Sequence, residues 1–426
     1  MTDTLTTLLQ RLDEPAARYA ENERYYNGTQ PLAFLAPESR EALGDRFGRM
    51  ASNIPRLAIT SLTERLRVTG FAGVEVWDDW LRNDLDQTST IAHREALLLG
   101  ASYAIVWADH LGRPKVTIES AKQVTVLTDP GSREVIAALK RWETATTTEA
   151  VLYGRDEIVR LRAEQTGATT AGFKVIETLA NPLGMVPVVR LTNSDRLLDE
   201  GVSEIEDLKP LVDALNKTLT DMLTTSEYVG RPRRWATGIE LEEDEEGKAI
   251  NPIPEGNRAM VSENPDSKFG QLDSANLGGY EAAVRILLGQ IMAVSALPSH
   301  YIGQLTATPP SADALRAAEA SLTARAQARQ QVFGRAWEQV ARLIVAVRDG
   351  ADPHRVEPRI VWADPATRSI GQEADAIVKL FSSGLLPADY ALQRLGYGDD
   401  EITAIRQARR TAAVDAAAID LSKLVN

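Results

Sequence analysis

Residues 203–229, SEIEDLKPLVDALNKTLTDMLTTSEYV, carry the pattern that decides the architecture. Their apolar positions are Ile205, Leu208, Val212, Leu215, Leu219 and Met222, spaced 3, 4, 3, 4 and 3 apart. This is a heptad seam of about two and a half repeats, and it predicts a helix that starts at Ser203. A second seam follows at Tyr280, Val284, Leu287, Ile291 and Val294, and Pro298 closes it. Both are too short to be stable alone, so each helix must pack on something else. Two ordinary amphipathic helices in one bundle would show the same periodicity. Between the seams the character changes. This segment opens with Arg231-Pro232-Arg233-Arg234-Trp235, carries the acidic run Glu242 to Glu246 and is punctuated by Asn251-Pro252 and Asn264-Pro265. Two strand candidates, Trp235 to Leu241 and Ala259 to Ser262, sit within that turn chemistry. The pattern predicts a small module inserted at the tip of a helical hairpin.

Downstream, Gly303 to Pro310 forms a non-helical break, and Ser311 is placed to cap a helix with Asp313 in its first turn. That helix is expected to run to Asp349, roughly 58 Å at 1.5 Å per residue. Phe333, Trp337, Val340, Ile344 and Val347 give its second half an apolar stripe, whereas the first half is Ala-rich and lean. A strand from Arg359 to Trp362 and helices over 369–381, 387–395 and 399–424 complete the chain. Upstream, Leu5, Leu8, Leu9 and Leu12 mark a helix that Pro15 interrupts. Further helices are predicted from Ile54 to near Gly70, around Trp77 to Leu85, and from Ile91 to Leu99. From Ser102 the period shortens. Runs at 103–107, 115–118, 123–127, 135–142, 147–153, 157–161, 173–178 and 186–191 alternate with turn signals, which predicts an antiparallel sheet. The fold class is therefore α+β, mainly helical.

The chain has 426 residues, 44% of them hydrophobic, with 60 acidic against 47 basic side chains and a formal charge of −13. Its length suggests two to four domains. The absence of cysteine excludes disulfides, thiol nucleophiles and cysteine-based metal sites. No apolar run approaches the roughly 18–20 residues of a membrane span, and the start lacks the pattern of a secretory signal. A soluble, intracellular product with no membrane partner is the expectation. The acidic balance argues against a tight grip on nucleic acid. No phosphate-cradling loop or dinucleotide fingerprint is present. His93, His110, His300 and His354 are scattered without metal-ligand spacing and read as packing or surface residues. The acidic turn Glu242 to Gly247 fails as a calcium loop, because Ile253 stands where a bidentate acid is required. No catalytic residue, metal ligand or cofactor is assigned. Two rivals stay open beside a structural assembly protein. One is an intracellular oligomeric enzyme with an α+β catalytic domain and a helical oligomerisation domain; the other is an adaptor that engages one partner through its hairpin.

Several strings, in order, resemble the portal proteins of tailed bacteriophages, in the gp6-like branch found in siphophages of actinobacteria. They are Tyr25-Tyr26-Asn27-Gly28, then Asn53-Ile54-Pro55-Arg56-Leu57 leading to Gly70-Phe71. After them come Leu297-Pro298-x-x-Tyr301-Ile302-Gly303 and Pro310-Ser311-Ala312-Asp313-Ala314-Leu315-Arg316. The string Pro-Ser-Ala-Asp departs slightly from the commoner Pro-Ser-Gly-Glu of these proteins. The resemblance implies the portal fold. Residues 1–202 would form the wing, 203–229 the first stem helix, 230–278 a small α/β clip and 279–297 the second stem helix. Residues 298–310 would be the tunnel-loop region, 311–368 the long wing helix and its strand, and 369–426 the crown.

It also implies a function. Such proteins form a ring, usually a dodecamer, at one capsid vertex. It acts as the head–tail connector and as the channel for packaging and ejection of double-stranded DNA. The implied partners are the large terminase subunit, a head–tail adaptor, and major capsid and scaffolding proteins. The location would be the virion, after assembly in the host cytoplasm. In that setting Ile205, Leu208, Val212, Leu215 and Leu219 would pack the stem against Val284, Leu287 and Ile291. Gln304, Leu305, Thr306 and Thr308 would line the tunnel loop, whose plainer reading is a connector. Basic groups toward the lumen should be few, with Lys217 and Arg285 as candidates, because each phosphate contact adds drag. Arg231, Arg233 and Arg234 fit adaptor or inter-subunit salt bridges at least as well as DNA contact.

Overall fold

Leu8, Leu9 and Leu12 share one buried face of helix α1 (Thr2–Asp13), which lies against the first strands of a five-stranded sheet. The computed structural model describes residues 2–31, 51–230, 234–238, 264–271, 277–303, 311–366, 370–395 and 399–422. Pro15 separates α1 from α2 (Ala16–Asn27), and Gly28, at φ 67°, ends it. Then come α3 (Ile54–Thr63), strand β1 (Val68–Ala72), α4 (Trp77–Arg82) and α5 (Leu85–Leu99).

Eight strands occupy residues 101–192, as the alternation predicts, yet they form two sheets and not one. The first has the order β3-β2-β9, where β2 is Ala101–Ala108, β3 is Pro114–Ser120 and β9 is Val188–Thr192. The second is an antiparallel meander of β4 (Val124–Thr128), β5 (Val135–Glu143), β6 (Thr148–Tyr153), β7 (Glu157–Ala163) and β8 (Lys174–Ala180). The split arises because β9 returns to pair with β2, Ala101 opposite Thr192. Alternation reveals which face of a strand is buried but not which neighbour it takes.

The long helix α8 runs from Ala312 to Asp349, 38 residues, and the Ser311 hydroxyl oxygen accepts the Ala314 amide at its start. Phe333, Trp337, Val340 and Ile344 are fully buried, while Leu322 and Ala326 are the buried apolar positions of its leaner first half. An aromatic cluster forms the centre of the body. The Trp80 and Trp337 rings meet edge to face at 5.0 Å, and His93 stacks on Phe333 at 5.3 Å. The Trp337 indole N–H donates to His93 Nε2 at 2.7 Å. Burial pushes His93 down to about 3, so its ring is neutral, a packing histidine as its isolation in the sequence suggested. Gly334 lets the helix close on the next strand, since a Cβ there would stand 3.1 Å from Ile360.

That strand, β12 (Arg359–Trp362), pairs antiparallel with β1. The sequence shows β12 but not β1, which is short, contains Gly70 and finds its partner nearly 300 residues downstream. From Ala366 onward the chain forms a second unit with α9 (Ile370–Ser382), α10 (Ala388–Arg394) and α11 (Asp399–Ser422). Ile377, Ala391 and Ile402 are its buried apolar residues, and the Arg406 guanidinium holds Asp389 through both carboxylate oxygens. Among the described residues no helix is long and apolar enough to cross a membrane.

Candidate functional site

The helical hairpin is set on the body by a backbone crossing. Gly100 and Gly201, at φ 95° and 108°, press together so closely that a Cβ on Gly201 would lie 2.1 Å from the Gly100 carbonyl oxygen. Around this crossing Asn193 Nδ2 donates to the Val202 carbonyl at 2.7 Å, and the Glu204 amide donates to Leu97 at 2.9 Å. The chain then makes a single 3₁₀ turn, Glu206–Leu208, before helix α6 (Lys209–Gly230). The regular helix thus starts six residues later than the seam alone predicts. Pro210 explains the delay, because it has no N–H to donate to the Glu206 carbonyl. The returning helix α7 covers Gly278–Ser295 and packs antiparallel on α6, with Thr225 and Tyr280 hydroxyls 3.1 Å apart near the tip.

The seam residues divide by depth. Ile205, Leu208, Val212, Leu215 and Ile291 are buried in the main core. Leu219, Val284 and Leu287 are only partly covered, and Ile286 is 65% exposed. Polar ties clamp the buried end. Lys209 reaches Glu21 at 2.6 Å and Glu206 at 3.1 Å. The Tyr25 hydroxyl donates to Asp213 at 2.7 Å, and burial together with this carboxylate raises the phenol's pKa. The Ser52 amide and hydroxyl both donate to Asn216 Oδ1, at 2.9 and 2.6 Å. Glu204 accepts from Arg329 and Arg325, one turn apart on α8, at 2.6 and 3.4 Å. Thr218, Thr220 and Thr224 return their hydroxyls to carbonyls of their own helix.

Lys217 is half-exposed and paired with Asp221, and Arg285, 72% exposed, is 2.7 Å from Glu281. Each basic candidate on the hairpin is thus neutralised by an acid on its own helix. At the tip, β10 (Arg234–Thr237) pairs antiparallel with β11 (Lys268–Gln271), Arg234 opposite Gln271. The partner of the first strand candidate is therefore 268–271, while the predicted Ala259 to Ser262 lies outside the described residues. The β11 strand escapes a sequence reading because Gly270 interrupts four residues; a Cβ there would strike the Trp235 ring at 2.4 Å. Gln304, Leu305, Thr306, Thr308, Arg231 and Arg233 lie outside the described residues, as does the side chain of Arg234.

Sequence reasoning overlooked the clamp at the hairpin base. Arg325 and Arg329, four apart on one helix face, are a visible signal, but their acid sits 121 and 125 residues upstream. Nothing local marks Tyr25, Ser52 or Asn216 as partners. Among the described residues, no group of three or more acids or histidines is arranged to hold a metal.

The sequence matches the family model described as phage portal protein, SPP1 Gp6-like, over residues 5–415. The chain belongs to this phage portal family. It is a structural family and not an enzymatic one, and its α+β portal fold is the architecture described above. The portal protein of Mycobacterium phage D29 is 30% identical over 83% of this chain and 77% of the relative. The portal protein of Mycobacterium phage L5 is 28% identical over 94% of this chain and 86% of the relative. Among solved structures, the neck of a native GTA particle computed with C12 symmetry has a TM-score of 0.48 and 12% identity, covering 89% of this chain and 99% of that one. The neck of an empty GTA particle computed with C6 symmetry has a TM-score of 0.44, also at 12% identity, covering 92% and 94%. Family membership rests on the sequence match.

Proposed function

We propose that the chain assembles into a portal ring, a dodecamer by expectation, that serves as the passage for double-stranded DNA during packaging and ejection. In this reading the hairpin is the stem, residues 230–278 are the clip that meets the terminase and the head–tail adaptor, and 369–426 are the crown. Residues 1–202 and 311–368 are the wing, and 298–310 carry the tunnel loop. Its location is the capsid vertex of the virion, reached after assembly in the host cytoplasm with capsid and scaffolding proteins.

The observation that carries the reading, beside family membership, is the graded burial of the hairpin seam. Leu219, Val284 and Leu287 remain half-covered and Ile286 is open, which a neighbouring hairpin would complete. Charge is consistent with passage and not grip. Lys217 and Arg285 are neutralised within their own helices, and the first stem segment carries six acids against two bases. Phosphate would find little free positive charge there, so affinity and drag stay low.

Twelve chains of 46.5 kDa should elute as a particle of about 558 kDa with rotational symmetry in electron micrographs. A monomer or dimer persisting across concentration and salt would sink the proposal. Removing residues 232–276 and joining the helices by a short turn should leave a soluble ring that no longer docks terminase or adaptor. Undiminished docking would refute the clip assignment alone.

A further inference from the structure

The most exposed large apolar side chains among the described residues are neighbours on one loop, Leu197 at 80% and Leu198 at 90%. The loop is held in shape. The Ser194 hydroxyl donates to the Arg196 carbonyl at 3.0 Å, Arg133 donates to the Leu197 carbonyl at 3.4 Å, and Arg11 pairs with Glu200 at 2.8 Å. Two leucines presented on a braced loop form a knob that loses little freedom on docking. Asp195 and Asp199 flank them, whereas Glu200 is paired with Arg11, and Arg196 and Arg133 bring positive charge to the same loop.

A pocket of about 320 Å³ opens between the two sheets, lined by Ile105, Trp107, Val151, Tyr153, Ile158 and Leu179, with Lys115 at its rim beside Arg160, which is paired with Glu177 at 2.9 Å. The one rim carboxylate, Asp109, is turned toward the amides of Leu111 and Arg113. A second apolar pocket beside Trp107 carries Asp352 and no basic residue to meet Asp195 or Asp199. The first pocket thus matches the loop in apolar character, and Lys115 is the basic side chain it offers to Asp195 and Asp199.

Knob and pocket occupy opposite corners of the three-stranded sheet. The loop leaves β9 where Thr192 faces Ala101, at one end of β2. The pocket is built at the other end of β2 and on β3, the strand on the far side. Eight residues at about 3.3 Å each separate those ends by roughly 25 Å. Complementary surfaces at opposite corners of one body make a head-to-tail contact, the kind that closes into rings.

We infer that Leu197 and Leu198 of one subunit insert into the Trp107–Tyr153 pocket of a second copy of this chain, with Lys115 facing Asp195 and Asp199. The inference rests on the ring reading above but adds to it the surface by which wings join. The cysteine-free chain permits a direct test. Full-length Leu198→Cys and Thr117→Cys variants, both at exposed positions, are purified separately, mixed under assembly conditions and treated with a short bis-maleimide. Covalent dimers should form in the mixture roughly tenfold more than in either variant alone, because docking raises the local thiol concentration. A chain carrying both cysteines should yield a ladder of higher oligomers.

Large assemblies without that preference would overturn the contact and leave the ring reading standing. Efficient cross-linking of Leu198→Cys to itself would also overturn it, because that requires a two-fold contact. Monomers throughout would overturn both. As a second arm, Lys115→Glu should weaken assembly several-fold, and Asp195→Lys with Asp199→Lys should restore it. Assembly unaffected by Lys115→Glu would refute the charge pairing.

Discussion

The second half of α8 and the hairpin helices carry similar apolar stripes, yet they end in different states. On α8, Phe333, Trp337, Val340 and Ile344 are all fully buried. On the hairpin, Val212, Leu215 and Ile291 are buried, while Leu219, Val284 and Leu287 stay half-covered. Periodicity specifies a face; what stands opposite specifies how much of that face leaves water. The α8 stripe meets Trp80, His93 and the three-stranded sheet of its own chain, whereas the outer hairpin packs on its sister helix and reaches the core with only part of its seam.

Breaking the α8 side should have the largest effect. Trp337→Ala removes a fully buried ring, opens a cavity and orphans His93 Nε2, so a loss of about 3–5 kcal/mol is expected in urea unfolding. A loss below about 1 kcal/mol would mean that the cluster collapses freely and that the contrast with the hairpin is illusory.

Acid sharpens the same contrast. His93 is neutral in the fold with a pKa near 3, below the ordinary value of 6.5. Its contribution is complete above pH 6.5 and falls as pH drops toward 3, because the unfolded chain takes up the proton first. Between pH 7 and 4.5 this should cost the body on the order of 2–3 kcal/mol. Hydrogen exchange should show α5 and α8 loosening together over that range, and His93→Phe should flatten the dependence. An unchanged slope in that variant would assign the acid response to carboxylates instead.

The smallest effect belongs to the outer hairpin. Leu219→Ala should cost the isolated chain about 1 kcal/mol, since the side chain is only partly covered. In assembled protein the same change should cost clearly more, read as a lower dissociation temperature of the particle. Equal losses in both states would show that no neighbour covers this face.

Much of this was legible. Turn residues such as Gly112 and Asp129-Pro130-Gly131 mark where strands stop, and Ser311 caps the long helix. The seam residues of the hairpin were readable too, but the clamp at its base was not. Glu204, Asp213 and Asn216 are ordinary polar residues whose partners Arg329, Tyr25 and Ser52 lie more than 100 positions away. Their meeting depends on how the hairpin is seated, not on spacing.

By itself the sequence determined most of the helices and strands, the long helix with its cap, the apolar seams and a chemistry without thiols. These follow from short-range rules, since capping, turn geometry and side-chain period act within a few residues. Tertiary structure alone decided that the strands divide into two sheets, that β1 finds β12, and that two glycines let the hairpin cross the body at Gly100. It also decided how deep the seam is buried. Those outcomes depend on which distant surfaces can be brought together to exclude water, and local pattern carries no record of that choice.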